Sequence, residues 1–77
     1  MKEAVERIVY ALADDKDAVE VAEHSEGRTT TFEVRVAESD MGRLIGRQGR
    51  TVKAIRSILF FAGQKHERRY NLQILED

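Results

Sequence analysis

A glycine-containing segment near the middle of the chain lies among basic residues. The segment reads Ile45-Gly46-Arg47-Gln48-Gly49-Arg50, and Lys53 follows about one helical turn later. Because glycine has no Cβ atom, a sugar-phosphate backbone can approach such a segment closely, and the N–H groups of a loop that leads into a helix favour phosphate. The segment therefore predicts a site for a polyanion, although a tight turn between two helices would by itself also require glycine.

The charges of the chain are unevenly distributed. The net charge is only −1, but residues 1–40 carry 5 basic and 11 acidic side chains, whereas residues 41–77 carry 8 basic and 3 acidic ones. Residues 41–66 contain no acidic side chain at all. A surface of one sign attracts ligands of the opposite sign even when the molecule is nearly neutral. This distribution favours a polyanion as ligand over the alternative of a merely solvated helix face.

The first half of the chain predicts a helix followed by a hairpin. Apolar residues recur at helical spacing over residues 3–13, which is typical of an amphipathic helix. Apolar and polar residues then alternate over residues 18–24 and 29–36, which predicts two strands, and Gly27 suits the turn between them. In the second strand, Phe32 and its alternate neighbours form the inner face.

The second half predicts a short helix, the glycine segment and a long helix. The short helix carries Met41 and Leu44, and either Ser39 or Asp40 is placed to cap its N-terminus. The long helix has a regular apolar face and ends near Gly63. The glycine segment therefore joins two helices.

Apolar and polar residues alternate again over residues 69–75, which predicts a final strand. The predicted order of elements is therefore α-β-β-α-α-β. A helical crossover most easily joins parallel strands, so strand 29–36 is expected to run parallel to strand 69–75 and antiparallel to strand 18–24. We predict an α+β fold, in which a three-stranded mixed sheet carries three helices packed on one face. Residues 1–77 are expected to form a single domain.

Two adjacent phenylalanines lie on the flanks of the long helix's apolar face. That face contains Ile55, Leu59 and Ala62, and a step of about 100° per residue places Phe60 and Phe61 on either side of it. We expect one phenylalanine to complete the core of this small domain. The other is expected to be exposed and to pack against a second subunit or a partner.

No residue pattern indicates catalysis or metal binding. The chain has no cysteine, and His24 and His66 are single and far apart in sequence. Asp14, Asp15 and Asp17 lack the glycine and terminal glutamate of a calcium-binding loop. We predict no enzymatic activity, no metal, no cofactor and no small-molecule substrate.

The composition predicts a globular protein in the cytoplasm. Of the 77 residues, 42% are hydrophobic and 35% charged, which is typical of a folded domain. The longest apolar run, residues 58–63, is too short to span a bilayer, and residues 1–7 are charged and carry no signal-peptide core. No membrane association is expected.

The glycine segment and its surroundings resemble a known family. Residues 44–50 are similar to the I-G-x-x-G signature of KH domains, whose glycine loop clamps about four nucleotides of single-stranded RNA. The element order resembles the type II, prokaryotic KH arrangement, and residues 35–56 most resemble the small stand-alone bacterial KH proteins of the KhpA type. The resemblance implies that RNA is contacted by Gly42, Arg43, Ile45, Gly46, Arg47, Gln48, Gly49, Arg50 and Lys53.

The resemblance also implies details of the groove and of the function. The backbone amides of Arg47, Gln48 and Gly49 are expected to hold the RNA backbone. Ile45 would form an apolar floor with Val34 or Val36, although for Ile45 and Val34 the alternative of a pure core role is favoured over a base contact. The implied function is that of an RNA chaperone or post-transcriptional regulator, acting as a homodimer or as a heterodimer with a second KH-containing protein.

The exposed aromatic residues leave an alternative open. The chain could instead be a protein-interaction module with a KH-like fold that dimerises or docks a partner through the Phe60/Phe61 region.

Overall fold

A computed structural model describes residues 1–76. Its helices are α1 (Lys2–Leu12), α2 (Met41–Ile45) and α3 (Arg50–Lys65), and its strands are β1 (Glu20–Glu26), β2 (Thr29–Arg35) and β3 (Arg69–Ile74). Short 3-10 turns are formed by Lys16–Ala18, Glu38–Asp40 and Arg47–Gly49. The order α1-β1-β2-α2-α3-β3 confirms the prediction.

The three strands form one mixed sheet with β2 in the centre. β2 runs antiparallel to β1 and parallel to β3. Phe32, in the middle of β2, pairs with Glu23 on one side and with Leu72 on the other. The predicted strand directions are therefore confirmed.

The core lies between the sheet and the helices. Along β2, Thr30, Phe32 and Val34 are buried, whereas the residues between them are half-exposed on the opposite face. This alternation follows from the two-residue repeat of a strand. The helices contribute the buried residues Val5, Val9, Leu44, Val52, Ile55 and Leu59 to the same core. The three helices thus pack on one face of the sheet, as expected.

The first strand begins two residues later than predicted. Residues Lys16–Ala18 form a 3-10 turn, so β1 starts at Glu20. The Nζ of Lys16 donates a hydrogen bond to the carbonyl of Ala13, 3.1 Å away, and so satisfies a backbone acceptor just after α1. Val19 is buried, but it lies between this turn and the strand.

Within the described residues, none of the helices combines the length and the hydropathy that crossing a bilayer requires.

Candidate nucleic-acid interface

The Gly46–Gly49 loop is a tight, well-defined connection between α2 and α3. Gly46 and Gly49 have φ angles of 78° and 74°, and Gln48 between them has a φ of 58°. The N–H of Gly46 donates to the carbonyl of Gly42 at 2.8 Å and closes α2. The N–H of Gly49 donates to the carbonyl of Gly46 at 3.1 Å and closes the loop. Three of the four loop residues thus have positive φ angles, and this backbone turns the chain into α3.

Gly46 is required by the packing of the loop itself. A Cβ atom at this position would lie 2.2 Å from the Oγ1 of Thr51 and 2.8 Å from its backbone nitrogen. Real Cβ atoms do not approach that closely, so the first turn of α3 leaves room only for glycine. The structural explanation of this glycine therefore holds, whatever the loop binds.

At position 42, by contrast, no packing contact of the protein requires glycine. Gly42 lies within α2, and a Cβ atom there would meet no protein atom within 4 Å. Glycine in a helix is less favourable than alanine by about 0.5–1 kcal/mol. The protein's own packing therefore does not explain a glycine at this position.

Three of the predicted basic contacts lie together around the loop. Arg47 is exposed at the tip of the loop, Arg50 is exposed at the start of α3, and Lys53 is exposed one turn further on. The N–H of Arg50 donates to the carbonyl of Arg47, and the helix dipole of α3 adds positive potential at this end. The loop thus combines side-chain charge, helix dipole and backbone donors.

Only part of the predicted set of backbone donors is available. The N–H of Gly49 donates to the carbonyl of Gly46, so it is engaged within the loop. Arg47 and Gln48 stand at the start of the 3-10 turn, where N–H groups have no acceptor within the turn. The prediction for the Gly49 amide does not fit this geometry, because the loop closes on that group.

Arg43 is placed differently from the other basic residues. Its guanidinium forms an ion pair with the carboxylate of Asp14 at 2.8 Å, and both side chains are largely exposed. At about 100° per residue, Arg43 lies on the opposite side of α2 from Met41 and Ile45. The structure therefore directs this predicted contact towards the segment after α1.

The residues predicted to form an apolar floor differ in their exposure. Ile45 is half-buried at the edge of the core. Val34 is 0% exposed, so it belongs to the core alone. Val36 is also buried but lines an open cavity together with Met41 and Leu75. Of the two proposed strand residues, only Val36 reaches a surface next to α2.

Asp40 holds the start of α2 in place. It occupies the N-cap position, but its side chain makes no capping hydrogen bond. Its two carboxylate oxygens instead accept the backbone N–H groups of Asp15 at 3.0 Å and of Asp14 at 3.1 Å. The expected cap is therefore wrong: the fold brings the segment after α1 to this carboxylate.

The environment of Asp40 stabilises its charged form. The hydrogen bond from the N–H of Asp15, and next that from Asp14, lower the pKa of the Asp40 carboxyl from its ordinary 3.8. Burial opposes this effect, and the positive charges of Arg43 and Lys16 add to it. The sequence offered no signal for this role, because the partners lie about 25 residues away along the chain.

Phe60 and Phe61 are both exposed, at 57% and 67% of their surface. Their rings pack edge to face with centroids 5.6 Å apart. Ile58, one turn of α3 before Phe61, is 53% exposed. The expectation that one phenylalanine completes the core is wrong, because the three-stranded sheet covers only the face of α3 that carries Ile55 and Leu59. Ile58, Phe60 and Phe61 form an exposed apolar surface, here called the α3 patch.

Within residues 1–76, no three or more His, Asp or Glu side chains are grouped so that they could hold a metal ion. The Nε2 of His24 instead contacts a carboxylate oxygen of Glu33 on the solvent face of the sheet.

The geometry can be compared with known proteins. The family model described as KhpA/KhpB, KH domain, matches residues 2–74. The RNA-binding protein KhpA of Halalkalibacterium halodurans is 46% identical over 76 residues, which cover 99% of this chain and 100% of that protein. The proteins of the same name from Aquifex aeolicus and Caldanaerobacter subterraneus are each 41% identical, over 99% and 97% of this chain and 96% and 100% of their own lengths. No solved structure matches the chain. With the family model covering nearly all of its length, the chain belongs to the KhpA/KhpB family of KH domains.

Proposed function

We propose that this chain is a non-enzymatic KH module that binds single-stranded RNA and grips about four nucleotides at the Gly46–Gly49 loop. The observation that carries the proposal is the open space beside α2 at Gly42, next to a cationic loop. The curated relatives are named RNA-binding proteins, and these names support the same conclusion.

The electrostatics support a phosphate backbone as the part of RNA held by the loop. Arg47, Arg50 and Lys53 are exposed within a few residues of one another, and no acidic residue occurs in the segment 41–66. The backbone N–H groups of Arg47 and Gln48 add donors at the start of the turn. The base edges would then face α2, where Gly42 leaves room and Ile45 offers an apolar contact.

One copy of this site is expected to bind weakly and with strong salt dependence. Each phosphate neutralised on a single strand contributes about −0.7 to the slope of log K against log salt, so three cationic partners give a slope of about −2. Phe60 and Phe61 lie more than two turns further along α3, so these two exposed rings offer no stacking platform beside the loop. Useful affinity then requires a second KH domain.

The α3 patch is the proposed contact with that second domain, in a homodimer or in a heterodimer with another KH-containing protein. Two adjacent phenylalanines and an isoleucine exposed on one helix are unusual for an isolated small domain. The same observation favours the second candidate function, a protein-interaction module that does not use the loop for RNA. The roles of RNA chaperone or post-transcriptional regulator, the single-domain organisation of residues 1–77 and the cytoplasmic location remain predictions within this proposal.

A double substitution in the loop separates the two candidate functions. Arg47→Asp with Gln48→Asp places two negative charges at the loop tip, and aspartate tolerates the left-handed conformation of Gln48 comparatively well. We expect the double variant to fold normally and to lose RNA binding in a fluorescence anisotropy titration.

The matched control carries the same pair of changes at Arg28 and Gln64, both exposed and distant from the loop. This control has the same net charge and is expected to retain most of the RNA affinity. If the loop variant binds RNA as well as the control does, the groove assignment is wrong and the interaction module is favoured.

A further inference from the structure

A second group of basic residues lies at the end of α3 that is remote from the Gly46–Gly49 loop. The group is formed where α3 ends, where the hairpin turn leads into β2 and where β3 begins. We call it the distal basic surface; it consists of Arg28, Lys65, Arg68 and Arg69. The segments 26–28 and 65–69 contain two carboxylates, those of Glu26 and Glu67, so cations are in excess here.

Backbone hydrogen bonds bring these segments together. The N–H of Arg69 donates to the carbonyl of Arg28 at 2.8 Å, and the N–H of Arg68 donates to the carbonyl of Gly63 at 2.8 Å. A Cβ atom on Gly63 would lie 2.5 Å from the carbonyl oxygen of Arg68, so the turn from α3 into β3 is tightly packed. These contacts hold the backbone that carries the basic side chains in place.

The guanidinium of Arg68 is oriented by a hydroxyl group. Its Nε and one terminal nitrogen donate to the Oγ1 of Thr30 at 3.2 Å and 2.8 Å. Thr30 is buried in the sheet, whereas Arg68 is half-buried. A guanidinium has five N–H donors, so three remain for an anion. The other three members of the surface, Arg28, Lys65 and Arg69, are exposed.

Internal ion pairing does not account for these charges. The carboxylate contacts formed among residues 1–76 use other side chains, namely those of Arg7, His24, Arg35 and Arg43. A cation at the C-terminus of a helix interacts favourably with the helix dipole, which explains Lys65. The three arginines lie outside the helix, and the planar guanidinium group is well suited to phosphate.

The length of α3 sets the distance between the loop and the distal basic surface. Its 16 residues span about 24 Å. A stacked strand advances about 3.4 Å per nucleotide, so about seven nucleotides bridge this distance. Arg56 is exposed on α3 between the two ends and donates to the carbonyl of Leu72 at 3.3 Å, which places it on the side of β3. A strand that follows this side meets a further cation on its way.

Resting on the proposed RNA function, we propose that the distal basic surface binds the phosphate backbone of the same RNA strand, beyond the nucleotides held at the loop. Contacts to phosphate carry no sequence information, so the surface adds affinity for every sequence alike. The footprint of one chain grows from about four nucleotides to at least about eleven.

The test compares unpaired RNA oligomers of about six and about fourteen nucleotides by fluorescence anisotropy, at salt concentrations of about 50–200 mM. The shorter oligomer occupies the loop without reaching the distal basic surface, whereas the longer one reaches both. Each further phosphate adds about −0.7 to the slope of log K against log salt. With three further contacts, the slope is expected to change from about −2 for the shorter oligomer to about −4 for the longer one.

The variant Arg28→Gln/Arg69→Gln removes two exposed cations and leaves the contact between Arg68 and Thr30 intact. We expect the slope for the longer oligomer to become shallower by about 1.4 and its affinity to fall several-fold. Binding of the shorter oligomer is expected to stay unchanged. The loop control that alters Arg28 and Gln64 is measured with the shorter oligomer for the same reason.

The matched control, Lys2→Gln/Arg7→Gln, removes two exposed cations from α1 and is expected to change neither slope. If the slope for the longer oligomer is the same in the distal variant and in this control, the inference is overturned and the proposed function stands. Equal weakening of both oligomers by the distal variant would also overturn the inference, because the effect would not depend on reach. Absence of binding to either oligomer by the wild-type chain would overturn both.

Discussion

Gly46 and Thr51 lie so close together that a single methyl group would not fit between them. The Oγ1 of Thr51 would be 2.2 Å from a Cβ atom on Gly46, and the backbone at Gly46 has a φ of 78°. The loop and the first turn of α3 are therefore one packed unit. The conformation that exposes Arg47 at the tip of the loop depends on this contact.

Substitution of Gly46 by alanine is expected to destabilise the fold by about 2–4 kcal/mol, which combines left-handed backbone strain with the clash at Thr51. Urea denaturation measures the loss. Gly27→Ala is the control, because Gly27 also has a positive φ, of 61°, but nothing lies within 4 Å of a Cβ atom there. Equal losses in the two variants would show that Thr51 does not restrict the loop.

Substitution of Gly42 by alanine is expected to have opposite effects on stability and on binding. Alanine favours the helix over glycine by about 0.5–1 kcal/mol and meets no protein atom, so the variant should be slightly more stable. RNA affinity should fall several-fold, since the methyl group occupies the space beside α2. A variant that is stabilised and binds RNA as the wild type does would contradict the proposed path of the strand.

The pH dependence of stability is expected to report on Asp40. Its pKa in the folded state lies below the ordinary 3.8. Between these two pKa values the unfolded state binds more protons, so the stabilisation is present above about pH 4 and is lost as the pH falls through the folded pKa. Asp40→Asn removes this titration and leaves one acceptor oxygen for the two N–H groups.

Urea midpoints measured from pH 7 to pH 2 test this prediction. The wild-type chain should be more stable than the Asn variant at neutral pH, and the difference should shrink below pH 4. Parallel curves for the two proteins would mean that the Asp40 carboxylate contributes nothing through its charge.

Phe61→Asp is expected to weaken self-association without loss of stability, since Phe61 is 67% exposed and lies in the α3 patch. Light scattering over a range of concentrations measures the molecular mass. Ala11→Asp, on the exposed side of α1, provides a control with the same added charge. A Phe61 variant that stays associated to the same extent as the control would exclude the patch as the interface.

The sequence alone predicted most of the fold, because local periodicity determined it. Alternation in β2 identified the inner face that carries Phe32 and Val34, and helical spacing identified the buried side of α3. The glycine segment and its basic neighbours also indicated the loop. Each of these signals is contained within a few consecutive residues.

The features that were missed depend on contacts between distant parts of the chain. Asp40 looked like a helix cap, but the tertiary fold supplies it with the N–H groups of Asp14 and Asp15. Arg43 finds an ionic partner by the same approach of α1 to α2. The exposure of both Phe60 and Phe61 depends on how far the sheet extends under α3, which no local pattern encodes.

The most direct test of the central claim is an NMR titration of the chain with unpaired RNA oligomers at low ionic strength. The account predicts that the amide resonances of residues 46–50 shift progressively, together with that of Gly42, while those of β1 stay in place. Unmoved resonances at 46–50 with oligomers of every base would contradict the claim that this loop holds a polynucleotide backbone.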